Sequence, residues 1–355
     1  MLLIAPDSFK GTFTAREVAA AIARGVPLDV AVELCPVADG GEGTLDVVLA
    51  ASQGSAERVA AHDPLGRRVD APLGWLDGGR TAIVEMAGAS GLALVPESER
   101  DAEAASTRGT GELIAAAVAS GARRIVVMAG GSATTDGGAG ALEAIADGGG
   151  LRGAALVVAC DVTTSFEHAA TVYGPQKGAS PVAVERLTRR LHSSAAALPR
   201  DPRGVPMTGA AGGLAGALWA VHGAQLVGGA DWVLGAVGFD ARLARAAAVV
   251  TGEGRLDRQT FAGKLVGTVA TRCRRAGVPL HAVVGSLTLT DRETRELGLA
   301  SVHAAPDEAA MAAAGSTIAD DLAASRRPST ARDSLRHNDC EEHMPVGIAK
   351  HRGLG

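Results

Sequence analysis

Glycines set beside carboxylates, with a scattered lysine, recur along this 355-residue chain. The first such segment, Ala5-Pro6-Asp7-Ser8-Phe9-Lys10-Gly11, follows an apolar run. Asp7 could hold a metal or a hydroxyl and Lys10 could neutralise a phosphate; alternatively the segment is a turn with a solvated lysine. The second, Ala38-Asp39-Gly40-Gly41-Glu42-Gly43-Thr44, opens a helix. Successive backbone N–H groups at Gly40 and Gly41 would seat an anion at that helix N-terminus. Asp39 and Glu42 would repel a phosphate there unless Mg²⁺ sat between, or they would simply cap the helix. The longest segment runs from Gly130 to Gly140 and carries the hydroxyls of Ser132, Thr134 and Thr135 around Asp136. No GxxxxGK[ST] occurs, so it is not a Walker A loop.

Three more segments have the same character. Asp161 stands at a strand end, as a metal ligand or a plain cap, and Lys177 sits in the rigid frame Gly174-Pro175-Gln176-Lys177-Gly178. Thr251 to Lys264 supplies Glu253, Arg255, Asp257 and Lys264. There Asp257 takes the place of the third glycine of a dinucleotide fingerprint, so Mg²⁺-bridged phosphates suit the segment better than a bare pyrophosphate; surface ion pairing is the alternative. Histidines are isolated, and neither HExxH nor GxSxG appears. Phosphoryl transfer asks for held phosphates, Mg²⁺, cationic groups and a carboxylate near the attacking hydroxyl. The residue set therefore reads as a small-molecule kinase using a nucleotide and Mg²⁺.

The elements that must position these loops follow an α/β rhythm. Apolar runs at 1–6, 30–35, 247–252, 280–285 and 299–304 are expected to make one five-stranded parallel, flavodoxin-like sheet. Thr14 and Glu17 stand in capping-box register before a helix with Val18 and Ile22 on one face. Stretches at 67–75 and 80–87, joined by Asp77-Gly78-Gly79, predict an antiparallel hairpin. Further strands are expected at 123–128 and 155–160, and helices near 110–119 and from 139. The domain reading is 1–57 plus 241–324 as the discontinuous flavodoxin-like domain, 58–240 as an inserted α/β domain, and 325–355 as a disordered tail; two consecutive domains are the alternative. The active site would lie in the cleft between the domains. A net charge of −5 argues against nucleic acid and anionic membrane as partners. The apolar runs fall short of the ~20 residues of a membrane span. MLLIAPDSFK has no basic n-region followed by an apolar stretch, so no signal peptide is expected there, and Cys35, Cys160, Cys273 and Cys340 lie far apart, which fits a reduced cytoplasm.

The motifs together resemble the bacterial glycerate kinase family of the glyoxylate and glucarate pathways. APDSFKG at 5–11, VADGGEGT at 37–44, GGSATTDGGAG at 130–140, ACDV at 159–162, YGPQKGA at 173–179, GAAGGL at 209–214 and TGEGRLDRQT…GK at 251–264 carry the resemblance, in unbroken order to about residue 324. It implies phosphorylation of D-glycerate by ATP, most often to 2-phosphoglycerate, in a two-domain fold. Residues 164–168 and 145–155 depart from the family pattern, which puts the cleft near Asp161 in question. On loop chemistry, Lys10 and Lys264 would contact phosphates or the substrate carboxylate, Arg255 would pair with that carboxylate, and Asp136 would be the base-like carboxylate. Asp39, Glu42 and Asp257 would bind Mg²⁺ or orient the hydroxyl. A kinase of a related hydroxy-acid or sugar acid, and a non-catalytic metabolite sensor, remain as alternatives. The sequence leaves the assembly open between monomer and homodimer.

Overall fold

The computed structural model describes residues 1–258, 260 and 264–325; the expected disordered tail therefore lies almost wholly outside the described residues, as does Gly263. In chain order the strands are β1 (Leu2–Pro6), β2 (Val32–Leu34), β3 (Ser55–His62), β4 (Arg68–Leu76), β5 (Thr81–Glu85), β6 (Arg124–Met128), β7 (Ala155–Ala159), β8 (Gln225–Val227), β9 (Ala248–Leu256), β10 (Leu280–Leu287) and β11 (Leu299–Ala304). They form two α/β domains around two sheets.

The first sheet has the order β11-β10-β9-β1-β2 and is parallel throughout, the flavodoxin-like arrangement. Its strands come from the five runs named from the sequence. The second has the order β3-β4-β5-β6-β7-β8, antiparallel from β3 to β5 and parallel from β5 to β8. All its strands fall between β2 and β9 in sequence. The expected hairpin is β4–β5, whose turn needs left-handed backbone at Asp77, Gly78 and Gly79 (φ +54°, +65° and +86°); glycine adopts that conformation without steric cost. β3 and β8 were not expected. β3 reads SAERVAAH, mostly small and charged, and owes its strand form to a continuous register with β4 from Ser55↔Trp75 to His62↔Arg68.

Periodicity explains the outer helix layers. The helix Ala15–Gly25 starts in the capping box of Thr14 and Glu17, and its buried face, Val18 and Ile22, packs with the helix Glu308–Ser325 against Leu2, Ile4 and Val250. On the other side of the first sheet the helix Leu265–Ala276 packs on β9 and against the helix Gly229–Ala236, which meets the helix Thr44–Ser52, itself seated on β4 and β5 of the second sheet. Their Val48, Val233 and Val269 belong to one buried cluster that includes both Ala5 and Val249 of the first sheet and Met128 and Ala159 of the second. A continuous apolar core thus fastens the two sheets and fixes the loops between them. Among the described residues no helix is long and apolar enough to cross a membrane, and Cys35, Cys160 and Cys273 are buried free thiols.

Candidate active site

In a parallel α/β sheet, ligands bind where loops leave the carboxyl ends of the strands, at the point where strand order reverses. Here that point is β1, flanked by β9 and β2. Asp7 follows β1 directly and is buried; its Oδ1 accepts from the Ser8 backbone N–H at 2.7 Å and from the Ser8 hydroxyl at 3.3 Å. Lys10 reaches across to β2's loop, where its Nζ donates to Asp39 Oδ2 at 3.1 Å. Asp39 Oδ1 in turn accepts from the Gly41 N–H at 2.9 Å. From β9 come Glu253, which accepts from the Thr260 hydroxyl at 2.8 Å, and Arg255, 3.8 Å from Asp257.

These groups surround a cavity of about 500 Å³ whose wall includes Asp7, Lys10, Asp39, Glu253, Arg255 and Lys264. A second cavity, of about 1000 Å³, adjoins it on the far side of Asp7 and Lys10. Its wall mixes Phe13, Leu45, Leu49 and Pro72 with the carboxylates of Glu42, Asp46 and Glu85. The predicted residues Asp7, Ser8, Lys10, Asp39, Glu253, Arg255, Asp257 and Lys264 are thus brought together, with Glu42 exposed at the rim of the larger space. Asp161, at the end of β7, lies beside Asp39 and accepts the Ala230 N–H at 3.1 Å on both oxygens. That approach requires a bare backbone: a Cβ on Gly229 would stand 2.6 Å from the Asp39 carbonyl oxygen and 3.3 Å from the Asp161 carboxylate.

The electrostatics of the cluster are those of too many carboxyls in too little water. Burial, then the charge of Asp39, pushes the Asp7 carboxyl up to about 8. Burial raises Asp161 to about 7, with Asp39 adding to it against the Ala230 hydrogen bond. Burial likewise lifts Glu253 to about 7, opposed by Thr260 and Lys264. Desolvation and like charge both disfavour ionised carboxylates, so the site has an unmet demand for positive charge. Among the described residues no three Asp, Glu, His or Cys side chains make a ready cage for a metal ion. Mg²⁺, however, usually takes one or two protein carboxylates and completes its shell with water and substrate phosphates. The carboxylates around Asp39 have the donor chemistry for that mode.

The expected anion seat at Gly40 and Gly41 takes a different form. The N-terminus of the helix Thr44–Ser52 already receives a carboxylate of the protein itself, Glu85 at the end of β5, through the backbone N–H groups of Thr44 (3.1 Å) and Gly43. Burial pushes Glu85 up to about 7. Gly40 instead braces the second domain: its carbonyl accepts the Gly130 N–H at 3.3 Å. Sequence reasoning passed over Glu85, although its place at the carboxyl end of a strand was the usable signal.

The Gly130–Gly140 loop joins this surface only at its start. Asp136 is buried and filled with donors: Oδ2 accepts from the Thr107 N–H (2.9 Å), the Thr107 hydroxyl (2.8 Å) and the Gly140 N–H (3.2 Å), and Oδ1 from the Gly138 N–H (3.0 Å). Lys177 is buried too, donating to Ser132 Oγ at 2.8 Å and to the Thr134 carbonyl at 2.6 Å; burial lowers its ammonium to about 7. Thr134 and Thr135 are fully buried, and the Thr135 hydroxyl has no hydrogen-bond partner among the described residues. None of Ser132, Thr134, Thr135, Asp136 and Lys177 lines either cavity. A carboxylate engaged by four donors holds its loop in shape and is poorly placed to receive a proton from a ligand.

The chain is similar to known proteins over most of its length. The profile of the glycerate kinase family matches residues 2–147 and 149–327. The glycerate 2-kinase of Escherichia coli K12 is 39 % identical over 325 residues, covering 81 % of this chain and 85 % of that protein. A glycerate kinase of Bacillus subtilis 168 is 38 % identical over 336 residues, covering 84 % and 88 %. A crystal structure from Salmonella typhimurium LT2, whose protein carries a provisional assignment as glycerate kinase 2, superposes with a TM-score of 0.77 at 36 % identity over 92 % of this chain and 98 % of that one.

Proposed function

The chain belongs to the glycerate kinase family, and from that premise we propose that it transfers the γ-phosphoryl group of ATP to D-glycerate with Mg²⁺, giving 2-phosphoglycerate. The observation that carries the reading is the convergence of Asp7, Lys10, Asp39, Glu253, Arg255 and Lys264 on one cavity at the switch point of the parallel sheet. Arg255 offers the planar fork that grips a carboxylate bidentately, and Lys10 and Lys264 supply charge for phosphate oxygens. Asp39 and Asp161 would hold Mg²⁺, which would supply positive charge against the phosphates. Glu42 is too exposed to anchor it alone. Asp136 and Lys177 fix the loop that abuts Gly40 and so position the site from behind. We take the domain division as 1–57 plus 241–324 around an inserted 58–240.

ADP release by the purified protein with ATP, Mg²⁺ and a panel of hydroxy-acids tests the reading. Turnover should be greatest with D-glycerate, and phosphorus NMR should show phosphate on the C2 oxygen. Saturable glycerate binding without turnover would contradict it.

A further inference from the structure

The two cavities share a wall made by Asp7, Ser8, Lys10 and Thr12. Phosphoryl transfer takes place where donor and acceptor molecules touch, with attacking and leaving oxygens in line. Two adjoining spaces, one of about 500 Å³ lined by Lys10, Arg255 and Lys264 among carboxyls and one of about 1000 Å³ with a mixed apolar and acidic wall, place that meeting point at the shared wall. Of its four residues only Asp7 carries a carboxyl group, the one side chain there that can serve as a proton acceptor for a hydroxyl. Lys10 is a cation bound to Asp39, and the Ser8 and Thr12 hydroxyls are far too weakly basic. Asp7 has one oxygen, Oδ1, engaged with Ser8, while Oδ2 makes no hydrogen bond among the described residues. It also stands at the end of the strand where the sheet order reverses.

Resting on the glycerate kinase reading, we propose that Asp7 is the catalytic residue that accepts the proton of the attacking hydroxyl. The hydroxyl oxygen of the acid forms a bond to the γ-phosphorus, and the bond from that phosphorus to the β–γ bridging oxygen breaks. The electron pair of the broken bond leaves on the nucleoside diphosphate, and the hydroxyl proton passes to Asp7 Oδ2. A general base must lie within hydrogen-bond reach of the proton it takes, a condition Asp7 meets at the shared wall and Asp136, enclosed by Thr107, Gly138 and Gly140, does not.

The test is Asp7→Asn, assayed by ADP release with D-glycerate, ATP and Mg²⁺. Expected are a fall in kcat of about 10²–10⁴-fold, KM values for both substrates within about threefold of the wild type, and loss of the acid limb of the kcat/KM pH profile. The Tm at pH 8 should not fall, because a buried charge has been removed. A kcat within about fivefold of the wild type would overturn the proposal. So would a deficit cured by raising Mg²⁺ about tenfold, since Asp7 would then serve the metal. Should Asp7→Asn not fold, Asp7→Glu, which keeps the carboxylate but displaces it, is expected to retain the acid limb at reduced kcat; an unchanged kcat would count against the role. A wild-type protein that releases no ADP in response to D-glycerate overturns the functional reading itself, whereas an active wild type with an active Asp7→Asn overturns the Asp7 role alone.

Discussion

The loop cluster around Asp7 and the glycine loop around Asp136 look alike on paper, yet the folded chain treats them in opposite ways. Asp136 is buried with four donors pointing at it, and Lys177 beside it is met by Ser132 and the Thr134 carbonyl. Asp7, Asp161 and Glu253 are also largely enclosed, but carboxyl faces carboxyl there, and each group is pushed toward neutrality. A satisfied polar network rigidifies a fold. A repelling cluster destabilises the empty protein and persists where a ligand relieves it. Composition does not separate scaffold from site here; the state of satisfaction of the charges does.

Three substitutions can break or sharpen that contrast. The largest effect is expected at Asp39, which ties Lys10 to the Gly41 backbone and adjoins Asp161. Asp39→Ala should lower kcat/KM by about 10³-fold, the upper end of what losing one charge-stabilising group costs, with Tm unchanged or raised in a thermal melt. A variant that unfolds early but turns over normally would place Asp39 with the scaffold. Next, Asp136→Asn should cost about 2–3 kcal/mol of stability in urea unfolding, since it replaces an accepting oxygen with an NH2 donor that faces buried N–H donors, while kcat of the folded fraction falls less than about tenfold. An intact stability curve with abolished turnover would reverse the assignment of the two regions.

The smallest effect concerns pH. Glu253 is raised from 4.5 to about 7 by burial. In the unfolded chain it ionises near pH 4.5, and in the folded chain only near pH 7, so the folded state binds the extra proton between those values. Its contribution is therefore fully present below about pH 4.5 and lost as pH rises toward 7. Glu253→Gln keeps an acceptor for Thr260 and carries no charge. Its Tm should match the wild type at pH 5 and exceed it by about 1–3 °C at pH 8. A gap that is constant with pH would mean the Glu253 carboxyl is not held up by its surroundings.

Much of the frame was legible because local pattern and tertiary role coincide. The apolar runs of β1, β9 and β10 are largely buried strands and that of β11 the half-exposed edge strand, Asp77-Gly78-Gly79 is a turn, and Thr14 with Glu17 is a capping box. What stayed hidden depends on partners distant in sequence. Asp136 is satisfied by Thr107, twenty-nine residues upstream, and the helix at Thr44 is capped by Glu85, forty-one residues downstream. β3 has no apolar alternation and exists because β4 runs alongside it. Spacing shows which residues could do chemistry, but only the folded contacts show which of them are already engaged.

The central claim is that catalysis belongs to the wall between the two cavities at Asp7 and that the Gly130–Gly140 loop supports it from behind. A crystal structure with D-glycerate, Mg²⁺ and a non-hydrolysable ATP analogue tests it most directly. The acid and the nucleotide should occupy the two adjoining cavities, with the terminal phosphorus and the acceptor hydroxyl meeting beside Asp7. Either ligand seated instead on Asp136 and Lys177, with Asp7 and Asp39 untouched, would contradict it.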